Sequence, residues 1–253
     1  MNLLFDIGNT RMKWATLDAR GVSVQSAQVY SDWDEAKFSA AVLEPSERPD
    51  RVLVSNVGGT RIAAVVRDSI RQRWGIEVEF ASTTAAACGV RNAYPEPANL
   101  GVDRWLGVIA AHHLKKRLTC IVGIGTAMTV DGVDAKGQHL GGVITPGPDL
   151  MVASLLRNTS DIARKAEQGN TSDALFADNT LGAIHQGSSH ALAALIERAV
   201  ASMQAEAGEA PSLILTGGFA PIIGRLIHQQ YELIPDLVLQ GLARLASATT
   251  ASE

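Results

Sequence analysis

Residues 4 to 17, LFDIGNTRMKWATL, are echoed by residues 120 to 133, CIVGIGTAMTVDGV, so the chain carries one unit twice: an apolar strand, a glycine turn and a second strand. In the first copy Leu3, Leu4 and Phe5 form the apolar run, Gly8 and Asn9 supply turn chemistry, and Met12, Trp14 and Thr16 alternate with Lys13, Ala15 and Leu17. Aligning Ile7-Gly8-Asn9 with Ile124-Gly125-Thr126 sets Asn9 and Thr10 against Thr126 and Ala127. Small polar groups and backbone amides then stand where a phosphate is held. Just before the turns the copies differ in charge, because Asp6 faces Gly123. Two such hairpins predict two phosphate-gripping domains.

Composition narrows the class of ligand. The 253 residues are 46% hydrophobic and 19% charged, an ordinary globular balance with length for one large domain or two small ones. The net charge of −4 is spread without long like-charge blocks, which argues against nucleic acid and against a polybasic membrane patch and favours a small molecule. Cys88 and Cys120 stand far apart among small or apolar neighbours and read as reduced thiols, which points to the cytoplasm. Asp6 and Arg11 interrupt the first apolar stretch, and no run approaches the roughly 20 apolar residues of a membrane span. A soluble protein is expected.

Periodicity places strands at about 2–7, 11–18 and 22–29, a helix from Asp32 to Leu43, a strand at Arg51 to Ser55, a helix ending at Gly75 and a strand at Ile76 to Phe80. Residues 84–100 lack a clear period. A helix from Arg104 to Leu118 follows, then the repeated strand pair at 119–133 and a third strand at about 139–144. After Pro148 come a helix, a long helix over Asn179 to Ala207, a strand Leu213 to Leu215, the turn Thr216-Gly217-Gly218, a helix to about Gln230 and a last helix after Pro235. The boundary between domains is set near 117, giving 1–117 and 118–253. The tail from Ser247 to Glu253 reads as frayed.

Phosphoryl transfer needs donors around the phosphates, a divalent cation on a carboxylate and a group that positions the accepting hydroxyl. Asp6 closes a buried strand, where a carboxylate is expensive unless paired or near a metal, so it is assigned to Mg²⁺, directly or through water; the alternative is a turn-stabilising Asp. Asn9, Thr10 and the turn amides would hold the terminal phosphates, Lys13 adds charge, and Thr126 approaches from the second turn. Asp103 reads either as a helix N-cap or as a general base, with Arg104 beside it to pair with an anionic substrate. Asp131 and Asp134 read as active-site acids or, since strand alternation leaves their orientation open, as ordinary solvated carboxylates, and they are left out of the catalytic set. Thr216-Gly217-Gly218 either admits an adenine ring or ends its strand. His112 and His113 lack metal-ligand spacing, and Ser55 and Ser188 lack a nucleophile-elbow context, which argues against zinc and against a serine hydrolase.

Asp6-Ile-Gly-Asn-Thr10, Gly101-Val-Asp-Arg104, Gly125-Thr-Ala127, Gly141-Gly-Val-Ile-Thr-Pro-Gly147 and Asp178-Asn-Thr180, in this order over nearly the whole chain, resemble the motifs of type III pantothenate kinase. The resemblance implies an α/β fold of two ribonuclease-H-like, actin and sugar-kinase-like domains with a nucleotide cleft between them. It implies ATP-dependent phosphorylation of the primary hydroxyl of pantothenate, the first step of coenzyme A biosynthesis. Asp6, Ile7, Gly8, Asn9, Thr10, Arg11, Met12, Lys13 and Thr126 match nucleotide-binding positions, and Asp103 matches the proton acceptor. Gly101, Val102, Asp103 and Arg104 match the pantothenate motif, with Tyr94 and Thr180 as further substrate contacts; Tyr94 also reads as a half-buried loop anchor and Thr180 as a helix N-cap. The family's monovalent cation, ammonium or potassium, usually meets an Asp where this chain has Gly123. A homodimer is implied by the same resemblance. Two rivals accompany it: a nucleotide-binding regulatory protein without turnover, and a kinase of this fold acting on another alcohol.

Overall fold

The computed structural model describes residues 1–167, 170 and 174–250. In chain order the first elements are β1 (Asn2–Ile7), β2 (Arg11–Asp18), β3 (Gly21–Val22), β4 (Ser26–Val29), α1 (Glu35–Phe38), β5 (Arg51–Asn56), α2 (Thr60–Trp74) and β6 (Val78–Phe80). They are followed by β7 (Ala86–Ala87), β8 (Val90–Arg91), α3 (Val102–Lys115), β9 (Thr119–Ile124), β10 (Ala127–Val133), β11 (His139–Pro146), α4 (Pro148–Asn158) and α5 (Ser160–Ala166). The last are α6 (Thr180–Ala207), β12 (Ser212–Thr216), α7 (Ala220–Ile223), β13 (Glu232–Leu233) and α8 (Leu237–Thr250). Of the tail expected to fray, residues up to Thr250 are helical and 251–253 lie outside the described residues.

The chain folds as two compact units: Met1–Leu114 with Lys136–His139 and Asp236–Glu253, and Lys115–Ala135 with Leu140–Pro235. The sequence predicts an uninterrupted second domain from 118; instead the β10–β11 tip and α8 pack with the first unit. The physical reason for α8 is its apolar stripe, since Leu239, Leu242, Ala243 and Ala246 bury against Leu4, Leu53 and Leu106. Full burial of each leucine contributes about 2 kcal/mol. Gly241 lets α8 settle on α3, because a Cβ there would lie 2.6 Å from the Leu106 carbonyl carbon.

Each unit carries a five-strand path of the same order: β3-β2-β1-β5-β6 in the first and β11-β10-β9-β12-β13 in the second. In each, the opening hairpin is antiparallel and the following pairings, β1 with β5 with β6 and β9 with β12 with β13, are parallel. The duplicated hairpin read from sequence is therefore the visible part of a duplicated sheet. Registers refine the alignment. Ile7 pairs with Met12 across residues 8–11, whereas Ile124 pairs with Met128 across residues 125–127, so the second turn is one residue tighter.

In the first unit Leu3, Phe5 and Ile7 turn to one face against Trp33, Phe38 and Ile62, while Leu4 turns to the face covered by α3 and α8. Strand alternation then sends Asp6 to the α3 side. In the second unit Val122, Ile124 and Met128 pack against Leu192, Ile196 and Val200 of α6. The helix expected from Asp32 is short, capped by the Asp34 side chain and continued as a π-turn over Ser39–Leu43. The helix expected up to Gln230 is only α7 with a 3-10 turn at Gly224–Leu226, because the chain folds back to lay Tyr231 on Gly224.

Candidate active site

Strand pairing assembles an ionic cluster from residues distant in sequence. Asp6 stands opposite Lys13 on β2 and beside Ser55 on β5, all on the α3 side of the sheet. The Lys13 Nζ lies 3.8 Å from Asp6 Oδ2. Burial pushes the Asp6 carboxyl up to about 6, Lys13 opposes that, and the charge of Asp103 adds to it. The Ser55 hydroxyl leans toward stabilising the carboxylate without completing a hydrogen bond, and its Oγ is buried and unsatisfied. A buried acid, a second acid close by and an orphaned hydroxyl are hard oxygen donors that fit a divalent cation completed by phosphate oxygens. No group of three or more His, Cys, Asp or Glu forms a metal cage among the described residues.

Asp103 is not the N-cap. The helix α3 starts at Val102, Gly101 O takes its first bond from Trp105 N at 3.0 Å, and Asp103 sits in the first turn with Oδ1 accepting from Arg104 N at 2.8 Å. A Cβ at Gly101 would lie 2.7 Å from that same Oδ1, so a side chain there would push the Asp103 carboxylate aside. Val102 packs against the Leu4 and Leu106 cluster. A carboxylate in the first helical turn is favoured by the helix dipole, so its placement is cheap here.

In the first turn Gly8 N donates to Arg11 O at 3.0 Å, leaving Asn9, Thr10 and Arg11 exposed. Ile7 and Met12 are wholly buried core residues, so only their backbone faces the turn.

Arg104 is 8% exposed, and its Nη1 donates to the Tyr94 hydroxyl at 3.2 Å with the guanidinium 5.8 Å from the Tyr94 ring centroid. Tyr94 in turn stacks on His139, centroids 6.2 Å apart and planes 12° apart, and Tyr94 N donates to Asn92 Oδ1 at 2.9 Å. A buried guanidinium anchored by a phenol is the residue type that receives a planar carboxylate. His139 had no signal in the sequence, since its spacing from Tyr94 follows no period. Ser55 was visible only as a failed hydrolase nucleophile.

The second unit arranges its own turn. Gly147 N, at the start of α4, donates to Thr126 O at 2.8 Å, and Thr126 is exposed between β9 and β10. Gly217 has φ +97°, and a Cβ there would lie 2.7 Å from the Ile124 carbonyl carbon, so close backbone approach by itself requires this glycine. Asn179, not Thr180, caps α6, its side chain accepting from Gly182 N at 2.9 Å. Thr180 is the first helical residue and half-buried. The registers place Gly123, Thr129 and Thr216 where the first sheet has Asp6, Lys13 and Ser55, a neutral set in place of an ionic one. Asp131 is 2% exposed, which corrects its reading as a solvated carboxylate.

The family model for type III pantothenate kinase matches residues 2–202. The type III pantothenate kinase of Nitrosococcus oceani is 37% identical over 255 residues, covering 99% of this chain and 95% of that protein. The chain belongs to the type III pantothenate kinase family. The family's relative from Herminiimonas arsenicoxydans is 38% identical over 263 residues and covers 98% of each chain. Among solved structures, the activator of the 2-hydroxyisocaproyl-CoA dehydratase from Clostridium difficile, with bound ADPNP, matches with a TM-score of 0.53 at 14% identity, covering 99% of this chain and 96% of that one. The fold is that of the actin and sugar-kinase-like proteins, which accounts for the doubled sheet.

For this family member the buried Asp6 makes a pH prediction. Its folded pKa of about 6 stands above the ordinary 3.8, so the ionised form is disfavoured by folding. That burden is absent below about pH 3, where the carboxyl is neutral in both states, grows as pH rises from the unfolded 3.8 towards about 6, and is fully present above that. Asp6→Asn is therefore expected to stabilise the ligand-free protein by about 3 kcal/mol at about pH 7.5, with little difference at about pH 3. Urea unfolding of both proteins at the two pH values measures it; equal stability throughout would contradict a strained carboxylate.

Proposed function

We propose that this chain transfers the γ-phosphoryl group of ATP to the primary hydroxyl of pantothenate, giving 4'-phosphopantothenate and ADP, the opening step of coenzyme A biosynthesis. Membership of the kinase family supports the reaction. The observation that carries the site is the first turn of α3, where Asp103 stands close enough to Asp6 for the two charges to interact and Arg104 is buried next to it. In this reading Arg104 and Tyr94 receive the pantothenate carboxylate, and Gly101 and Val102 shape the approach. Asp103 accepts the hydroxyl proton as the oxygen attacks the γ-phosphorus and the bond to the bridging oxygen of ADP breaks.

The stretch Asp6 to Lys13 holds ATP: Asn9 and Thr10 offer amides, and Lys13 and Arg11 offer charge. Asp6 with Ser55 would hold Mg²⁺, which when bound neutralises charge on the phosphates. The strand partners of Gly123 are the neutral Thr129 and Thr216, so among the described residues those two pairings bring no carboxylate to that position, and no step is routed through a monovalent cation. We place the enzyme in the cytoplasm as a homodimer. Among the described residues no helix is long and apolar enough to cross a membrane.

Purified protein with ATP and Mg²⁺ is expected to form ADP and phosphorylated pantothenate in equal amounts, followed by phosphorus NMR. Preference for a simple sugar, or ATP bound without turnover, would replace this reading with one of its rivals.

A further inference from the structure

The carbonyl of Gly8, inside the first turn, accepts a hydrogen bond from the hydroxyl of Tyr30, a residue 4% exposed and outside every motif discussed so far. Burial raises the Tyr30 pKa above the ordinary phenol value, with the Arg61 charge opposing, so the group is a settled donor. Its segment is pinned: Trp33 N donates to Tyr30 O at 3.0 Å, and Arg61 Nη1 on α2 donates to Trp33 O at 2.8 Å.

A trans peptide points its C=O and the following N–H in opposite directions. With the Gly8 carbonyl drawn inward onto Tyr30, the Asn9 N–H faces the other way, and Asn9 and Thr10 are exposed there. We propose that Tyr30 is a positioning residue for the nucleotide: its hydroxyl fixes the plane of the Gly8–Asn9 peptide and so keeps the Asn9 amide presented to a phosphate of ATP. This rests on the reading that the first turn holds ATP.

Gly58 is part of the device. A Cβ at Gly58 would run into the Tyr30 hydroxyl and would lie 2.8 Å from Gly8 O and 3.0 Å from Ile7 Cγ2. The Gly58 backbone is held there by its own N–H, which donates to Asn56 Oδ1 at 3.0 Å. In the second unit a turn carbonyl one position further on, Thr126 O, takes its bond from a backbone amide, Gly147 N.

Two substitutions disturb the hydroxyl in different ways: Tyr30→Phe deletes it and keeps the ring, and Gly58→Ala keeps it and displaces it. Steady-state kinetics are measured with ATP varied at saturating pantothenate, then the reverse, beside thermal melting. Both variants are expected to raise KM for ATP about 5- to 10-fold, as loss of one orienting hydrogen bond implies, with KM for pantothenate unchanged. A Tyr30→Phe protein that melts earlier but keeps KM for ATP within about twofold would reduce the hydroxyl to a structural contact and overturn the proposal. Lys13→Met separates the layers. If it raises KM for ATP and Tyr30→Phe does not, Tyr30 alone loses its role; if neither raises it, the first turn is not the nucleotide site and both readings fall.

Discussion

Asp103→Asn is expected to lower kcat by about 10³-fold, in the middle of the range for removing a general base, while the melting temperature barely moves. The geometry makes the two readouts separable. Asparagine keeps an oxygen for Arg104 N, which now meets Asp103 Oδ1 at 2.8 Å, and the helix start is set by Gly101, not by the acid. What disappears is the proton acceptor and a like charge that raises the Asp6 pKa. Single-turnover experiments with ATP and pantothenate isolate the chemical step. A loss smaller than about tenfold would remove Asp103 from the role of base and leave it a helix-turn acid.

Arg104→Met should reduce kcat/KM for pantothenate by about 100-fold, chiefly through KM, because a buried charge-assisted pair is worth roughly 2–3 kcal/mol. Methionine fills much of the same volume but offers no donor to the Tyr94 hydroxyl, which sits 3.2 Å from Arg104 Nη1. The wild-type enzyme should discriminate strongly against a pantothenate analogue whose carboxylate is replaced by a neutral amide, and the variant should treat the two nearly alike. Arg104→Lys retains charge but loses the fork, so it should fall between them. Undiminished discrimination in Arg104→Met would move the carboxylate site elsewhere.

Local signals made much of this site readable. The strands of the first hairpin lie at Asn2–Ile7 and Arg11–Asp18, where alternation and turn chemistry put them, and alternation alone assigns Asp6 to the face opposite Leu3 and Phe5. Pairing between distant strands was not readable. Nothing in Arg51 to Asn56 announced that Ser55 would stand beside Asp6, because parallel register is fixed by the packing of whole sheets. The alignment of the two hairpins slipped by one residue after the turns, since identical-looking glycine motifs close loops of different length. Asp131 is hidden from the pattern for a related reason: period two tells that a residue changes face, but both faces of β10 near it are covered, and it is buried. Residues 84–100, without a period, hold a two-strand hairpin and a 3-10 turn, and His139 reaches Tyr94 from a separate part of the chain.

The last helix carries a consequence for synthesis. Leu4, Leu53 and Leu106 are separated by the whole second unit from the side chains that cover them, Leu239, Leu242 and Ala246. During vectorial synthesis the first sheet therefore keeps an oily side open while the second unit is being made. A nascent chain that carries both sheets and not yet α8 exposes to chaperones and proteases the half it made first.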